Sequence, residues 1–157
     1  MDTPTAAPGY RLHLTSPTWT RGSSPAAHLW RPLPPRAGDL ASVLRRPPEQ
    51  RTGAWTLVEE HDGGLRLSTD RTRSHHLLFA RAGDTWVVCD DPQEMRRLVP
   101  SWQRDEAAAE GFLHTAFTVG TTTLVRGVRA TPAGAVVELR PDGSWRSRPW
   151  ETYRYDP

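Results

Sequence analysis

The chain has no lysine, no isoleucine, no asparagine and one cysteine, Cys89. A lone thiol excludes an internal disulfide, and no group of Cys and His has metal-ligand spacing, so a reducing cytoplasm is expected and a metal site is not. Nowhere do eighteen apolar residues follow one another, and no apolar run follows a basic start. Neither a membrane-spanning helix nor a secretion signal is therefore expected. Without lysine, every basic side chain other than histidine is an arginine, a bias that points to GC-rich coding DNA before it points to chemistry. The formal charge is only +2 despite a pI near 9.2. That excludes the large positive field on which nonspecific nucleic-acid binding depends. The pairs Arg45-Arg46 and Arg96-Arg97, and the arginines around Trp145, argue for nucleic acid, but interleaved acidic residues argue against it.

The apolar fraction is a low 36%, with 15 prolines, yet seven tryptophans supply large apolar areas that a disordered segment lacks. A chain of this length buries roughly 70% of the surface its unfolded form exposes, enough for one domain. Residues 1–9 lack periodicity and are expected to be a loose end, with a single domain over residues 10–157.

Tyr10, Leu12 and Leu14 alternate with Arg11, His13 and Thr15, the period of a half-buried strand. Ala27 to Arg31 is the expected partner and Thr20 to Pro25 the turn. Pro32, Pro34 and Pro35 make an extended connector. Asp39 then caps a short helix through Val43 and Leu44, which Pro47 and Pro48 end. Ala54 to Glu60, the turn His61-Asp62-Gly63-Gly64 and Leu65 to Asp70 read as a hairpin. His76 to Ala80 and Thr85 to Asp90, joined around Gly83-Asp84, read as a second, so four consecutive antiparallel strands are expected. Asp91, Pro92 and Glu94 form a helix start ahead of Met95 and Leu98. A further helix is expected from Asp105 to Phe117, with Phe112, Leu113, Ala116 and Phe117 on one side and Gly120 as its end. Strands over Thr123 to Val128, Ala135 to Arg140 and Trp145 to Trp150 complete the reading, around turns at Pro132-Ala133-Gly134 and Pro141 to Ser144.

The run Gly53 to Val58, the stretch Leu65 to Asp70-Arg71-Thr72-Arg73-Ser74, and the strand Leu77-Leu78-Phe79-Ala80 resemble the amidotransferase-type domain of asparagine synthetases and their relatives. So does Thr123-Leu124-Val125-Arg126-Gly127-Val128 with Pro132 and Gly134. The resemblance covers roughly Asp39 to Tyr153. It implies an α+β, N-terminal-nucleophile-hydrolase-like fold of layered antiparallel sheets with helices, abbreviated at its N-terminus. Asp70, Arg71, Arg73 and Ser74 form the turn motif of that resemblance, and its expected role is to hold the fold. Anion binding by Arg71, Arg73 and Ser74 is the alternative.

Glutamine hydrolysis in this family uses a first-residue cysteine whose own α-amino group takes the thiol proton. Here Asp2 follows Met1, and its bulk disfavours removal of that methionine. The family also resembles enzymes that hold the oxyanion with an Asn-Gly pair, a kind of donor commonly worth about 10²–10³ in rate. This chain has no asparagine. Cys89, inside the apolar strand Trp86-Val87-Val88-Cys89, is expected to be a buried structural thiol, not a substitute nucleophile working with His75 or His76. Adjacent histidines on a strand face opposite ways, so one is expected inside and one in solvent.

No catalytic, cofactor or metal residue is therefore assigned. The phosphate loop of the family's ATP-pyrophosphatase domain is missing, so ATP and Mg are implied only for that absent domain. The expected function is a non-catalytic accessory domain supporting an ATP-dependent, asparagine synthetase-like, amide-forming enzyme. β-Lactam synthetases and lasso-peptide cyclases, which serve peptide or natural-product maturation, are enzymes of that kind. The partner would be a synthetase subunit or a peptide substrate, meeting a surface around Trp145 and Trp150. The alternative is a standalone module that binds a peptide or small metabolite.

Overall fold

The structure, a computed structural model, describes residues 9–22, 27–32 and 39–151. Outside these lie the loose end expected over residues 1–9, apart from Gly9, as well as Pro34, Pro35 and the side chain of Asp39. The chain forms β1 (Tyr10–His13), β2 (Trp19–Arg21), β3 (Ala27–Trp30), α1 (Asp39–Arg45), β4 (Thr56–His61) and β5 (Gly64–Thr69). It continues through β6 (Leu78–Ala82), β7 (Thr85–Cys89), α2 (Pro92–Leu98), α3 (Glu106–Thr115), β8 (Val128–Ala130), β9 (Ala135–Leu139) and β10 (Trp145–Pro149). The fold is mixed α+β with two sheets, one in the order β1-β7-β6-β8 and the other in the order β10-β9-β5-β4-β3-β2.

Local chemistry accounts for the best-formed elements. Asp62 (φ 50°) and Gly63 (φ 74°) both take positive φ, the turn that lets β4 and β5 keep their twist. At Gly64 an added Cβ would overlap the Leu139 carbonyl of β9, so only glycine fits. Asp91 caps α2 by accepting from the Gln93 N–H, with Pro92 in the first turn, where a missing N–H costs nothing.

Strand alternation then divides the apolar side chains into three cores. Val58, Leu65, Leu67, Val137 and Leu139 of the larger sheet meet Phe79, Trp86 and Val88 of the smaller one. Beneath α2, Met95 and Val99 cover the other face of the smaller sheet at Ala80, Val87, Cys89 and Val128. Val43 of α1, with Trp55, covers Ala27, Leu29 and Leu57 on the other face of the larger sheet. Each sheet is thus buried on both faces over part of its area.

The structure departs from expectation in pairing more than in element type. The hairpins β4–β5 and β6–β7 are antiparallel, but they belong to different sheets, because the chain crosses between them after Asp70. β1 does not pair with β3; it runs parallel to β7 in the register Tyr10↔Trp86 to His13↔Cys89. A period of two decides which face is buried and leaves the partner open. Trp19 to Arg21, where a turn was expected to begin, is instead a strand paired with β3, and the rest of that turn lies outside the described residues. The expected strand Thr123 to Val128 is a loop up to β8. Thr123 Oγ1 donates to the Val125 and Val128 carbonyls and so offers the backbone a local alternative to a ladder. α3 stops at Thr115, with Ala116 left-handed at φ 61°, before either Phe117 or Gly120.

Candidate functional site

The larger sheet is two strands wider than the smaller one. Cross-strand register puts Trp19, Arg21, His28 and Trp30 of β2 and β3 on the same face as Val58, the face turned toward the smaller sheet. Polar and aromatic side chains therefore occupy this flank where aliphatic ones fill the centre.

At one end of the flank stands Asp90, 6% exposed, at the end of β7. Its Oδ1 accepts from Thr15 N–H at 2.7 Å and Thr15 Oγ1 at 2.9 Å, and its Oδ2 accepts from Ser16 N–H at 3.1 Å and Trp19 Nε1 at 2.7 Å. His75 Nε2 lies 3.0 Å from the same Oδ2. Burial raises the Asp90 carboxyl, but the bonds from His75, Thr15, Trp19 and Ser16 outweigh it and hold the group well below the usual carboxylate range. The His75 ring stacks on Trp30 with centroids 4.3 Å apart and meets Trp19 edge-on at 5.6 Å. An Asp–His pair of this geometry could serve a nucleophile, but the nearby hydroxyl, Ser16 Oγ, accepts from Trp30 Nε1 at 3.1 Å and sits 3.1 Å from Thr18 Oγ1. The network ties the loop after β1 to the end of β7. His75 is half-buried and His76 exposed, but they do not take opposite faces of a strand as expected: both precede β6, and their rings stack with centroids 6.0 Å apart.

At the other end is a cleft of about 220 Å³ lined by Tyr10, Leu12, Arg21, His28, Val58, Glu60 and Leu65. The Tyr10 hydroxyl donates to Glu60 Oε1. Burial first, and then the Glu60 carboxylate, push the Tyr10 phenol up to about 12. Burial and the Arg21 guanidinium lower the His28 pKa. The cleft thus offers a cation, a carboxylate and a neutral imidazole above an apolar floor.

Asp70, 3% exposed, closes the turn motif. Its carboxylate accepts from the N–H groups of Trp55 (2.9 Å), Thr72 (2.8 Å) and Ser74 (3.2 Å) and from Thr72 Oγ1 (2.9 Å). Burial works against ionisation here too, and these donors overcome it, so the carboxyl is held below its ordinary value. Arg71 pairs with Glu151 at 3.3 Å, and Arg73 takes positive φ (53°). The N–H groups of Thr72 and Ser74 point at Asp70.

Cys89 is fully buried beneath α2; its thiol donates to the Asp91 carbonyl at 3.2 Å, and burial pushes its pKa up to about 11. Such a thiol is a poor nucleophile. Trp145 and Trp150 do not share a surface. Trp145 meets Phe79 edge-on at 5.4 Å and remains 37% exposed. Trp150 packs beside Trp55, centroids 5.9 Å apart, on the α1 side of the sheet and donates to the Thr69 carbonyl at 3.1 Å. Sequence reasoning missed Asp90, Trp19, Trp30, Arg21 and His28. The one signal available was polar and aromatic residues at the inward positions of short strands.

Neither protein-family models nor curated proteins match the chain.

Proposed function

We propose that the chain is a catalytically silent, amidotransferase-like accessory domain that serves an ATP-dependent, asparagine synthetase-like, amide-forming enzyme. The observation that carries the reading is the layering: two sheets face each other across one core, with a helix outside each, the layout an N-terminal-nucleophile fold requires. In support, the Asp70 motif holds a turn and Cys89 is walled off. The test has two arms. The purified chain is assayed for ammonia release from glutamine, expected at the buffer rate. The open reading frames beside its gene are also read for an asparagine synthetase-like ATP-pyrophosphatase protein, which is expected there and, when co-expressed with the chain, is expected to co-purify with it. Ammonia release abolished by Cys89→Ala, or no association with such a protein, would overturn the proposal.

The cleft at Tyr10, Arg21, His28 and Glu60 favours a second reading, a standalone module for a small metabolite or the end of a peptide. Its opposed charges above an apolar floor suit a small ligand bearing both signs. Thermal unfolding with a panel of amino acids and dipeptides separates the readings: a stabilisation removed by Glu60→Gln belongs to the module, and none at millimolar ligand belongs to the accessory domain.

A further inference from the structure

β10 is the outer strand of the larger sheet, and every one of its residues is exposed. Bonds at its two ends fix which of its backbone groups are free. Arg140 N–H donates to the Ser144 carbonyl and Trp150 N–H to the Gly134 carbonyl, so in the antiparallel register with β9 it is Arg146 and Arg148 that bond to β9. Trp145, Ser147 and Pro149 turn their backbones outward. Pro149, which has no N–H, stands where the ladder asks for none. The edge thus offers the N–H groups of Trp145 and Ser147 and the carbonyls of Trp145, Ser147 and Pro149, none of them with a partner among the described residues.

The charge on this edge has one sign. Arg146 and Arg148 share a face, and on β9 only Glu138 opposes them. That carboxylate is already held, by Arg146 Nε at 2.7 Å and by Arg66 of β5 at 3.7 Å. Its bond from Arg146 first, and then the fields of Arg146, Arg66 and Arg148, keep the carboxyl below its ordinary value against burial. Asp142, in the turn before β10, accepts from Ser144 N–H and Oγ, and Glu151 pairs with Arg71. Glu59 lies on β4, three strands away, roughly 14 Å and beyond the reach of exposed charges in physiological salt. Arg148 makes no ion pair among the described residues. On the other face Trp145, 37% exposed, leaves part of its ring open beyond Phe79.

We propose that β10 takes up an extended acidic segment of a partner polypeptide as an added antiparallel strand. Main-chain bonds to Trp145, Ser147 and Pro149 hold the segment, and its side chains decide which segment is held. Residues of the added strand opposite Arg146 and Arg148 lie two apart, so carboxylates at alternate positions meet both arginines, while the residue opposite Trp145 is apolar. A second copy of this chain is a poor occupant. Pairing β10 with itself about Ser147 sets Arg146 against Arg148 twice, and like charges directly opposite destabilise a sheet. The inference does not rest on the accessory-domain reading, whose loss would leave this edge as it is.

The probe is the capped peptide Thr-Val-Glu-Thr-Glu-Val-Thr, the same residue order from either end, titrated into the full chain at low ionic strength and followed by amide chemical shifts. One counterpart carries lysine in place of both glutamates, and another has its central threonine N-methylated, so that it keeps the charge and loses the bond to Ser147. The glutamate peptide is expected to bind at least tenfold more tightly than either. Shifts should be confined to β9 and β10, with slowed exchange at the Trp145 and Ser147 N–H groups, and added salt should narrow the gap to the lysine peptide. Arg148→Glu breaks no described ion pair and should weaken binding of the glutamate peptide about tenfold or more. Ser147→Pro removes an outward N–H without touching the ladder and should abolish binding. Equal affinity for the glutamate and lysine peptides, full affinity of the N-methylated peptide or in Arg148→Glu, or shifts elsewhere would overturn the proposal. So would an oligothymidylate that shifts β10 where the glutamate peptide does not, or self-association of the chain that Ser147→Pro abolishes.

Discussion

Residues 54–90 and residues 102–124 are both rich in apolar side chains, and the structure treats them in opposite ways. In the first segment almost every aliphatic or aromatic residue is buried, from Trp55 and Leu57 through Phe79 to Val88 and Cys89. In the second, a capped and regular helix leaves Leu113 84% exposed and Phe117 60% exposed. Periodicity reveals that an element has an apolar face. It does not reveal whether the chain itself supplies what covers that face.

The largest effect expected is at Asp90, where the first region is tied together by polar contacts. Asp90→Ala removes the acceptor for four donors and the partner of His75, and should cost about 3–5 kcal/mol in urea unfolding, the range for breaking a buried charged network. A loss under about 1 kcal/mol would show that the flank is not a structural clamp. The same group gives a pH test. Because the folded Asp90 and Asp70 carboxyls lie below their ordinary values, the stability they contribute is complete above the ordinary carboxylate range. It is lost as pH falls through that range toward the depressed folded values. Asp90→Asn should flatten this acid limb in unfolding curves measured from neutral to strongly acidic pH.

Next comes the central core. Leu67→Ala leaves a cavity between the sheets and should cost about 2–5 kcal/mol, read from the urea midpoint at unchanged slope. Removing the α3 cap with Asp105→Ala should cost that helix about 1 kcal/mol, seen as faster hydrogen exchange over Glu106–Thr115 while the global midpoint holds. Smallest of all, Leu113→Ser should shift global stability by no more than about 0.5 kcal/mol. A loss like that of Leu67→Ala would abolish the contrast between the two regions.

Most of the element types could be read from the sequence because their determinants are local. Asp62-Gly63 specifies its turn, Asp91-Pro92 starts α2, Asp105 starts α3, and Cys89 lies in an apolar strand. Pairing was not readable to the same degree. The parallel match of Tyr10 to His13 with Trp86 to Cys89 joins segments whose own turns say nothing about each other. The flank was hidden for a related reason: Trp19, His75 and Asp90 converge only after the sheets have formed, and no spacing along the chain announces them. In Asp90-Asp91, the second aspartate showed itself as a helix cap and the first, which gathers the larger network, looked like the end of a strand.

The parallel seat of β1 also has a consequence in time. During synthesis the segment Tyr10 to His13 emerges long before Cys89, and it has no strand to join until the β6–β7 hairpin exists. A chain growing from its N-terminus must therefore carry an exposed alternating strand through much of its own production. Such long-range closure slows folding and gives other unpaired edges time to compete for the strand. Of the described strands, the one made earliest can be placed only after β7 has followed it.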